Sequence, residues 1–558
     1  MIYTSPYESL PIPQDKTLWD FLELHAHDEA TAHAPAFICS VTARQVSFSQ
    51  MFAQAQLICA GLHARGINKG DIVVLHSMNC IEYPVVLYAL TRLQVICSAA
   101  SPMFNAQELS EQAITAKAKA IISHKALAQV AVDAARLTGI DRTQVYTMAP
   151  ACGNVDLVSM EDLIAKNLSF PDLPRIDPQA VILLPFSSGT TGRPKNLGEA
   201  SKPVDTILLR LPQGVKMTAR ALLASTISFS YVNQPGQYTL ALLPFYHIMA
   251  TTISNSCIYT GKTVVVMPKF VPDQFLSLVE HYKLEKLHMA PPVVLFLAQH
   301  PMVDNYDLSS LKEIGCGGAP LGVEIEARAE KRLSATVLQG FGMSELCGGA
   351  VYSTSFAKRA GSTGKLMPNA SLKVKCLRTG KDLPPNQLGE LMFHTPHIME
   401  GYLNNPQASE DAIDEDGFVR SGDVGYIDDD GFVFIVDRIK ELIKYKGHQV
   451  APAQLEDVLN NHPSVTDSCC VRGFNFTTSE EIPKAYVVLK HAPEVDTSQR
   501  ILEFVASRVA PFKIVREVEF IDAIPRTLSG KILRRELQVR ENAKINAIRR
   551  QHVMDVQL

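Results

Sequence analysis

Between residues 71 and 123, short apolar runs alternate with amphipathic stretches, and that order dictates a layered α/β fold. Asp71-Ile72-Val73-Val74-Leu75-His76 reads as a buried strand bounded by Gly70 and Asn79. Tyr83 to Leu93 carries apolar residues at helical spacing, and Val95-Ile96-Cys97 opens a second strand. Gln107 to Ala118 reads as another helix, and Ala120-Ile121-Ile122-Ser123 as a third strand. Buried strands joined by helices imply largely parallel sheets covered on both faces. The pattern recurs at Thr263 to Met267 and Pro272 to Tyr282. Near residue 390 the texture changes to hairpin-like strands with Asp-Gly turns, at Asp416-Gly417 and Asp430-Gly431. A last region follows the charged stretch Asp437 to Glu441. It opens with a helix start at Pro452 and closes with a basic helix from Ile532 to Ile548. The expected architecture is α/β: a large N-terminal domain of mixed α/β subdomains and a small α+β C-terminal domain, cut near Lys440.

A chain of 558 residues is long enough for two to four domains. With 46% hydrophobic and 20% charged residues it has the makeup of a globular enzyme, and 53 basic against 57 acidic residues leave it near neutrality. There is no polybasic tract, so no nucleic-acid partner is expected. The 11 cysteines are scattered without a Cys-x-x-Cys pair, which argues against zinc or redox chemistry and fits a reducing compartment. Met1 to Pro6 has neither the basic start nor the apolar core of a signal peptide, and Val556-Gln557-Leu558 is not a peroxisomal Ser-Lys-Leu address. The charge-free stretch from Ala241 to Gly261 contains Pro244, His247 and Asn255, and reads as a buried strand and helix rather than a membrane segment. The expected location is therefore cytoplasmic.

The chemistry is concentrated in Phe186-Ser187-Ser188-Gly189-Thr190-Thr191-Gly192-Arg193-Pro194-Lys195, directly after the apolar strand Ala180 to Leu184. Hydroxyls donate to phosphoryl oxygens, glycines allow close backbone approach, and Lys195 adds charge. The spacing is not that of a nucleotide-triphosphatase loop, because Gly-x-x-x-x-Gly-Lys-Ser/Thr does not occur. Gly315 to Pro320 is not a dinucleotide fingerprint either, since Pro320 replaces the third glycine.

Five further segments follow in order: Leu243-Pro244-Phe245-Tyr246-His247, Gly317-Gly318-Ala319-Pro320-Leu321, Gln339-Gly340-Phe341-Gly342-Met343-Ser344-Glu345, Ser421-Gly422-Asp423 with Asp437-Arg438-Ile439-Lys440, and Pro525-Arg526-Thr527-Leu528-Ser529-Gly530-Lys531. Together with the loop, they resemble the adenylate-forming superfamily of acyl- and aryl-CoA synthetases, luciferases and adenylation domains. The resemblance is closest to its 4-coumarate–CoA ligase-like branch. It implies domains at 1–438, binding ATP and the acyl group, and 439–558, a mobile lid hinged at about Lys440. It makes Lys531, His247 and Lys444 catalytic. Nucleotide contacts fall to Ser187, Ser188, Gly189, Thr190, Thr191, Lys195, Gly318, Ala319, Pro320, Gln339, Gly340, Phe341, Gly342, Ser344, Asp423, Arg438 and Lys531. Glu345 is implied as the Mg²⁺ ligand, and Lys269, Lys446 and Gly447 as contacts for coenzyme A.

The implied reaction joins a small carboxylic acid to coenzyme A through an acyl-adenylate formed from Mg·ATP. Met249 stands where 4-coumarate ligases carry a Tyr, which favours a fatty or other apolar acid over a hydroxycinnamate. Cys347-Gly348-Gly349 reads as room for an acyl chain. One departure interrupts the pattern: Asn196 to Gln213 separates Lys195 from the Gly214-Val215 that resumes it. Its Pro203 and Pro212 suit an exposed excursion, and translated intervening sequence accounts for it equally well. A luciferase-like oxygenase and an inactive pseudoenzyme therefore stand beside the ligase as alternatives. The sequence carries no reading of oligomeric state.

Overall fold

In the computed structural model, residues 1–149, 155–187, 213–445, 448–476, 480–528 and 530–556 are described. The strand–helix alternation folds as its pattern requires. Strands β1 (Ile72–His76), β2 (Ile96–Ala100) and β3 (Ala120–Ser123) lie parallel, joined by helices α1 (Glu82–Arg92) and α2 (Ala106–Ala116). They form the centre of a nine-stranded sheet whose far side ends in β4 (Val181–Leu183), β5 (Phe186–Ser187) and β6 (Gln213–Thr218). Val73, Val74, Leu75, Ile121 and Ile122 are fully buried, as two-sided strands must be. Helix α3 (Ala219–Val232) follows β6, and its N-terminus is capped by the Thr218 hydroxyl, which accepts from Ala221 N–H. Helix α4 (Ile248–Thr260) starts at His247 and ends at Gly261 in the left-handed conformation. The apolar stretch around 241–261 is accordingly the end of one strand and a buried helix, as its sequence implies. No described helix is long and apolar enough to cross a membrane.

A second, ten-stranded sheet carries most of the candidate site. Its strands β7 (Lys286–Met289), β8 (Glu313–Cys316) and β9 (Thr336–Met343) are parallel, and β10 (Gly348–Tyr352) returns antiparallel to β9. Helix α5 (Val323–Leu333) connects β8 to β9. Farther along the same sheet, β11 (Val419–Ile427) and β12 (Phe432–Arg438) form the hairpin that Asp430-Gly431 predicts, with Gly431 at φ +82°. After a turn at Arg438–Leu442, the chain builds a separate small unit. Strands β13 (Ile443–Tyr445) and β14 (His448–Val450) form a hairpin, and helix α6 (Pro452–Asn460) follows. A three-stranded sheet comprises β15 (Val465–Asn475), β16 (Glu480–Leu489) and β17 (Glu517–Phe520), and helix α7 (Arg534–Val556) completes the unit. Ile443, Leu455, Leu459, Cys470, Ile501 and Val505 give this unit its own core. The large N-terminal domain and the separate C-terminal one are thus both present. The last helix starts two residues later than its sequence pattern implies and continues past Ile548.

Candidate active site

The site lies where three backbone turns meet. The first is Gly317–Leu321, which leaves the end of β8. Gly318 holds φ +85° with open space where a side chain would project, a geometry that costs glycine little and other residues considerably more. Ala319 is half-buried and Pro320 exposed beside it. Gln339 braces this turn from beneath: its side-chain amide donates to Glu326 Oε2 at 2.6 Å and to the Leu321 carbonyl at 3.3 Å. Gly340 and Gly342 follow on β9, and Phe341 between them stacks on Phe393 at a centroid distance of 5.2 Å. Ser344 opens a short helical turn that turns Glu345 inward, where it is 2% exposed. The Glu345 carboxylate accepts from Tyr402 Oη at 2.9 Å, and its carbonyl accepts from Met399 N–H at 2.8 Å.

The second is the Arg438–Leu442 turn, at the end of the β11–β12 pair opposite its Asp430-Gly431 turn. Asp423 and Arg438 face one another in register across the two strands, with Nε 3.4 Å from Oδ1. Ser421 locks the approach, donating to the Leu391 carbonyl and accepting from Asp423 N–H at 3.0 Å. Asp423 is 4% exposed. Burial pushes its carboxyl up to about 6, although Arg438 and Lys531 pull it down.

The third turn carries Lys531. Thr527 N–H donates to the Lys531 carbonyl at 2.9 Å, Gly530 N–H to the Thr527 carbonyl at 2.9 Å, and Lys531 N–H to Thr527 Oγ1 at 3.1 Å. Arg526 forks onto Asp467 and donates to the Gly530 carbonyl at 2.8 Å. The loop is therefore stiff, and it presses into the large domain: a Cβ on Gly530 would stand 2.9 Å from Ala290 Cβ. This docking brings Lys531 among His247, Asp423, Arg438, Lys440 and Glu441. Burial, then the neighbouring Arg438 charge, lowers the Lys531 ammonium to about 8. His247 caps α4 by accepting from Met249 N–H. Burial, reinforced by Lys531, lowers it to about 4, so it is neutral at physiological pH. Burial also lowers Lys440, against the raising influence of Glu441, Asp423 and Glu345.

Two sequence-predicted lysines stand apart from this group. Lys444 is exposed on β13, with its N–H donating to Glu481, and Lys269 is exposed on the bend after Thr263–Val266. Ser188 to Lys195, Lys446, Gly447 and Ser529 lie outside the described residues, as does the Ser187 side chain. Asn196 to Pro212 is also outside them. Gln213, read as the end of the excursion, is instead the first residue of β6, where sheet pairing with Ser187 on β5 claims it.

The glycines after Glu345 require a correction. Cys347-Gly348-Gly349 does not leave room for a chain. A Cβ on Gly348 would stand 2.3 Å from Ser225 Oγ, and one on Gly349 3.1 Å from Met367 Sδ. Those glycines serve close packing. Gly317 likewise packs closely, since a Cβ there would stand 3.0 Å from Met249 Cε, and Gly315 lies against His288 and Tyr352. His288 is buried with neither ring nitrogen hydrogen-bonded among the described residues, and burial lowers it to about 4.

Sequence reasoning missed three charged or polar members. Tyr402 follows Gly401 on a short strand paired with β6, ahead of the turn signal Asn404-Asn405-Pro406 that could have drawn attention to it. Glu441 and Arg534 pair at 2.9 Å, 93 residues apart in the chain, and no local pattern announces that contact.

The AMP-binding enzyme model matches residues 24–196 and 211–403, and the AMP-binding enzyme C-terminal domain model matches 454–531. The break leaves 197–210 outside the match, within the segment that interrupts the sequence pattern. The chain is 34% identical to a 4-coumarate–CoA ligase of Pinus taeda over 95% of its length and 97% of that protein's. It is 33% identical to 4-coumarate–CoA ligase 1 of Arabidopsis thaliana, over 97% and 95% respectively. Among solved structures, the anthranilate CoA ligase AuaEII in complex with anthranoyl-AMP superposes with a TM-score of 0.83 at 20% identity, covering 95% of this chain and 98% of that one. ATP-bound MatB from Rhodopseudomonas palustris gives 0.80 at 23% identity, covering 94% and 98%. At such identities these two structures establish likeness of fold alone.

Proposed function

Because this chain belongs to the AMP-binding enzyme family, we propose that it is an acid–thiol ligase that activates a fatty or aryl carboxylic acid with ATP and transfers it to coenzyme A. The single observation that carries the reading is the docking of Lys531 beside His247, Asp423 and Arg438, across the junction of the two domains. In the first step a carboxylate oxygen attacks the α-phosphorus of ATP, and the α–β bridging bond breaks to release pyrophosphate. Negative charge grows on the phosphoryl oxygens, and a desolvated, fixed ammonium stabilises it more strongly than water would. Lys531 fills that role. Asp423 and Arg438 grip the ribose hydroxyls, Phe341 and the Gly318-Ala319-Pro320 turn flank adenine with Gln339, Gly340 and Gly342, and Ser344 meets the α-phosphate. Ser187 to Thr191 and Lys195 cradle the outer phosphates.

Glu345 offers hard carboxylate oxygens fixed by Tyr402, and no described cluster of three His, Cys, Asp or Glu residues suits a metal. That donor set fits Mg²⁺ shared between one carboxylate and the nucleotide's phosphates. The ion would neutralise polyphosphate charge there. In the second step the coenzyme A thiol attacks the acyl carbon and AMP leaves. Rotation of residues 439–558 about Lys440 withdraws Lys531 and presents Lys444, Lys446 and Gly447, while Lys269 contacts the coenzyme's phosphates. Met249 over Gly317 gives the acid an apolar wall.

A panel of carboxylates with ATP and coenzyme A, followed by AMP release and thioester mass, tests the proposal. Lys531→Ala should cut acyl-AMP formation by roughly 10²–10³-fold. Unchanged acyl-AMP formation in that variant sinks it. The unmatched 197–210 segment favours a second reading, a nucleotide-binding protein without turnover. AMP binding with no adenylation of any acid, before and after removal of 197–210, would select that reading.

A further inference from the structure

Arg534 lies three residues beyond Lys531, in the first turn of α7, and its side chain is only 11% exposed. It donates Nε–H to Glu441 Oε2 at 2.9 Å and Nη2–H to Glu456 Oε2 at 3.0 Å. Its Nη1 reaches both Glu456 Oε1 and the Cys470 carbonyl, the latter at 2.6 Å. Glu456 is itself fixed, since it accepts from Cys470 N–H at 2.6 Å. The guanidinium fork is thus held on three sides, with a geometry an ammonium does not reproduce.

Glu441 has a choice of cations. Next to Lys440 in the chain, it lies within electrostatic reach of Arg534, Arg438 and Lys531. It pairs with Arg534. Among the described residues, no carboxylate forms an ion pair with the Lys531 ammonium, although Asp423 and Glu441 both face it, together with Arg438, Lys440 and His247. Asp437 also faces Arg534. Burial pushes Glu441 up, but the Arg534 charge and hydrogen bond, together with the Arg438 and Lys531 charges, more than offset this and leave it below its ordinary value.

A desolvated ammonium that pairs with a protein carboxylate must break that pair before it meets a phosphate. We propose that Arg534 is a positioning residue for adenylation: it sequesters Glu441, so that Lys531 stays uncommitted while Glu441 still sustains its charge from a distance. This rests on the reading of Lys531 as the adenylation lysine. Arg534 touches no reacting atom. Its effect passes through Glu441.

The test is a cycle of Arg534→Gln, Glu441→Gln and the double variant in the full-length protein. Acyl-AMP formation in Arg534→Gln should fall by about 10–100-fold against the parent, while the same substitution in the Glu441→Gln background should cost less than about threefold. Equal losses in both backgrounds mean that Arg534 only supports the fold, and overturn the proposal. A second measurement needs no acid substrate. Labelling of Lys531 by an amine-reactive ester, followed against pH by peptide mass spectrometry, should show its midpoint rising by about one pH unit or more in Arg534→Gln and returning in the double variant. An unmoved midpoint overturns the sequestration. A moved midpoint with no acid adenylated by the parent upholds it and overturns the ligase reading. Should Arg534→Gln fail to fold, by circular dichroism and melting, Arg534→Lys carries the test. An ammonium holds one of the two carboxylates less firmly, so the Lys531 midpoint still rises by a smaller step, and a parent-like midpoint refutes the proposal.

Discussion

Replacing Asp423 by Asn should stabilise the large domain while abolishing its grip on nucleotide. Asp423 is almost wholly buried, and its carboxyl is raised from 3.8 to about 6, chiefly by desolvation. A group raised in the folded state contributes stability that is fully present below pH 3.8 and lost as pH climbs through 6. The carboxylate therefore costs about 3 kcal/mol at pH 8 and about half that at pH 5, by proton linkage across the two values. Asn resembles the neutral acid and avoids that cost. In a domain of this size the gain amounts to roughly 3–6 °C in melting temperature at pH 8, and it should shrink steadily towards pH 4. Thermal unfolding scanned from pH 4 to 8, with and without AMP, measures both halves. Parent protein should gain about 2.7 kcal/mol at AMP one hundred times its Kd, and the variant almost nothing at that concentration. A variant that melts lower than the parent at pH 8, or whose advantage is the same at pH 4, refutes the assignment of burial as the dominant cause.

Adenylation should weaken as pH rises through about 8, because Lys531 loses its proton there in the free enzyme. kcat/KM for ATP that stays flat to pH 9.5 contradicts this. Deleting 197–210 should raise acyl-AMP formation while changing stability by less than about 1 kcal/mol, since it shortens a connection between the paired Ser187 and Gln213 and each halving of a loop is worth about 0.6 kcal/mol. Equal pyrophosphate release from both forms rejects it. Gly315→Ala should destabilise the fold by about 1–3 kcal/mol in urea unfolding, because its methyl group would stand 2.8 Å from both His288 Cδ2 and Tyr352 Oη. An unchanged midpoint would mean that these two side chains yield freely.

The strands of the first sheet were legible because burial on both faces leaves a continuous apolar signature, as at Ile72–His76 and Ala120–Ser123. The Asp-Gly hairpin before β12 was legible because glycine alone takes φ +82° cheaply. Asp423 and Arg438 came from motif order, and the fold brings them into register across two neighbouring strands. Other features were hidden by distance. The end of α7 runs past Ile548, and its preceding turns are anchored by Arg540 and Lys544 on Glu519, a contact invisible in a local window. Arg534 read as one more positive charge on a basic helix, because its carboxylates lie 93 and 78 residues away. Gly348 and Gly349 misled for a different reason. A missing Cβ is equally a space for ligand or a space for a neighbour, and only tertiary structure shows that Ser225 and Met367 take it.

These opposed shifts yield one more consequence. Lys531 sits near 8 and Asp423 near 6, while His247, near 4, is neutral across this range. A polyphosphate beside Lys531 favours its protonated form, and ribose hydroxyls donating to Asp423 favour its ionised form. ATP binding should then draw up to about half a proton into the protein at pH 8, where Lys531 is half protonated, and expel up to about half a proton at pH 6, where Asp423 is half ionised. Calorimetry in buffers of differing ionisation heat counts these protons. Lys531→Ala should erase the uptake at pH 8 and leave the release at pH 6, with any proton belonging to ATP itself common to both proteins. If the count at pH 8 is the same in Lys531→Ala as in the parent, the ammonium does not meet the phosphates, and the placement of Lys531 over the reacting phosphorus is wrong.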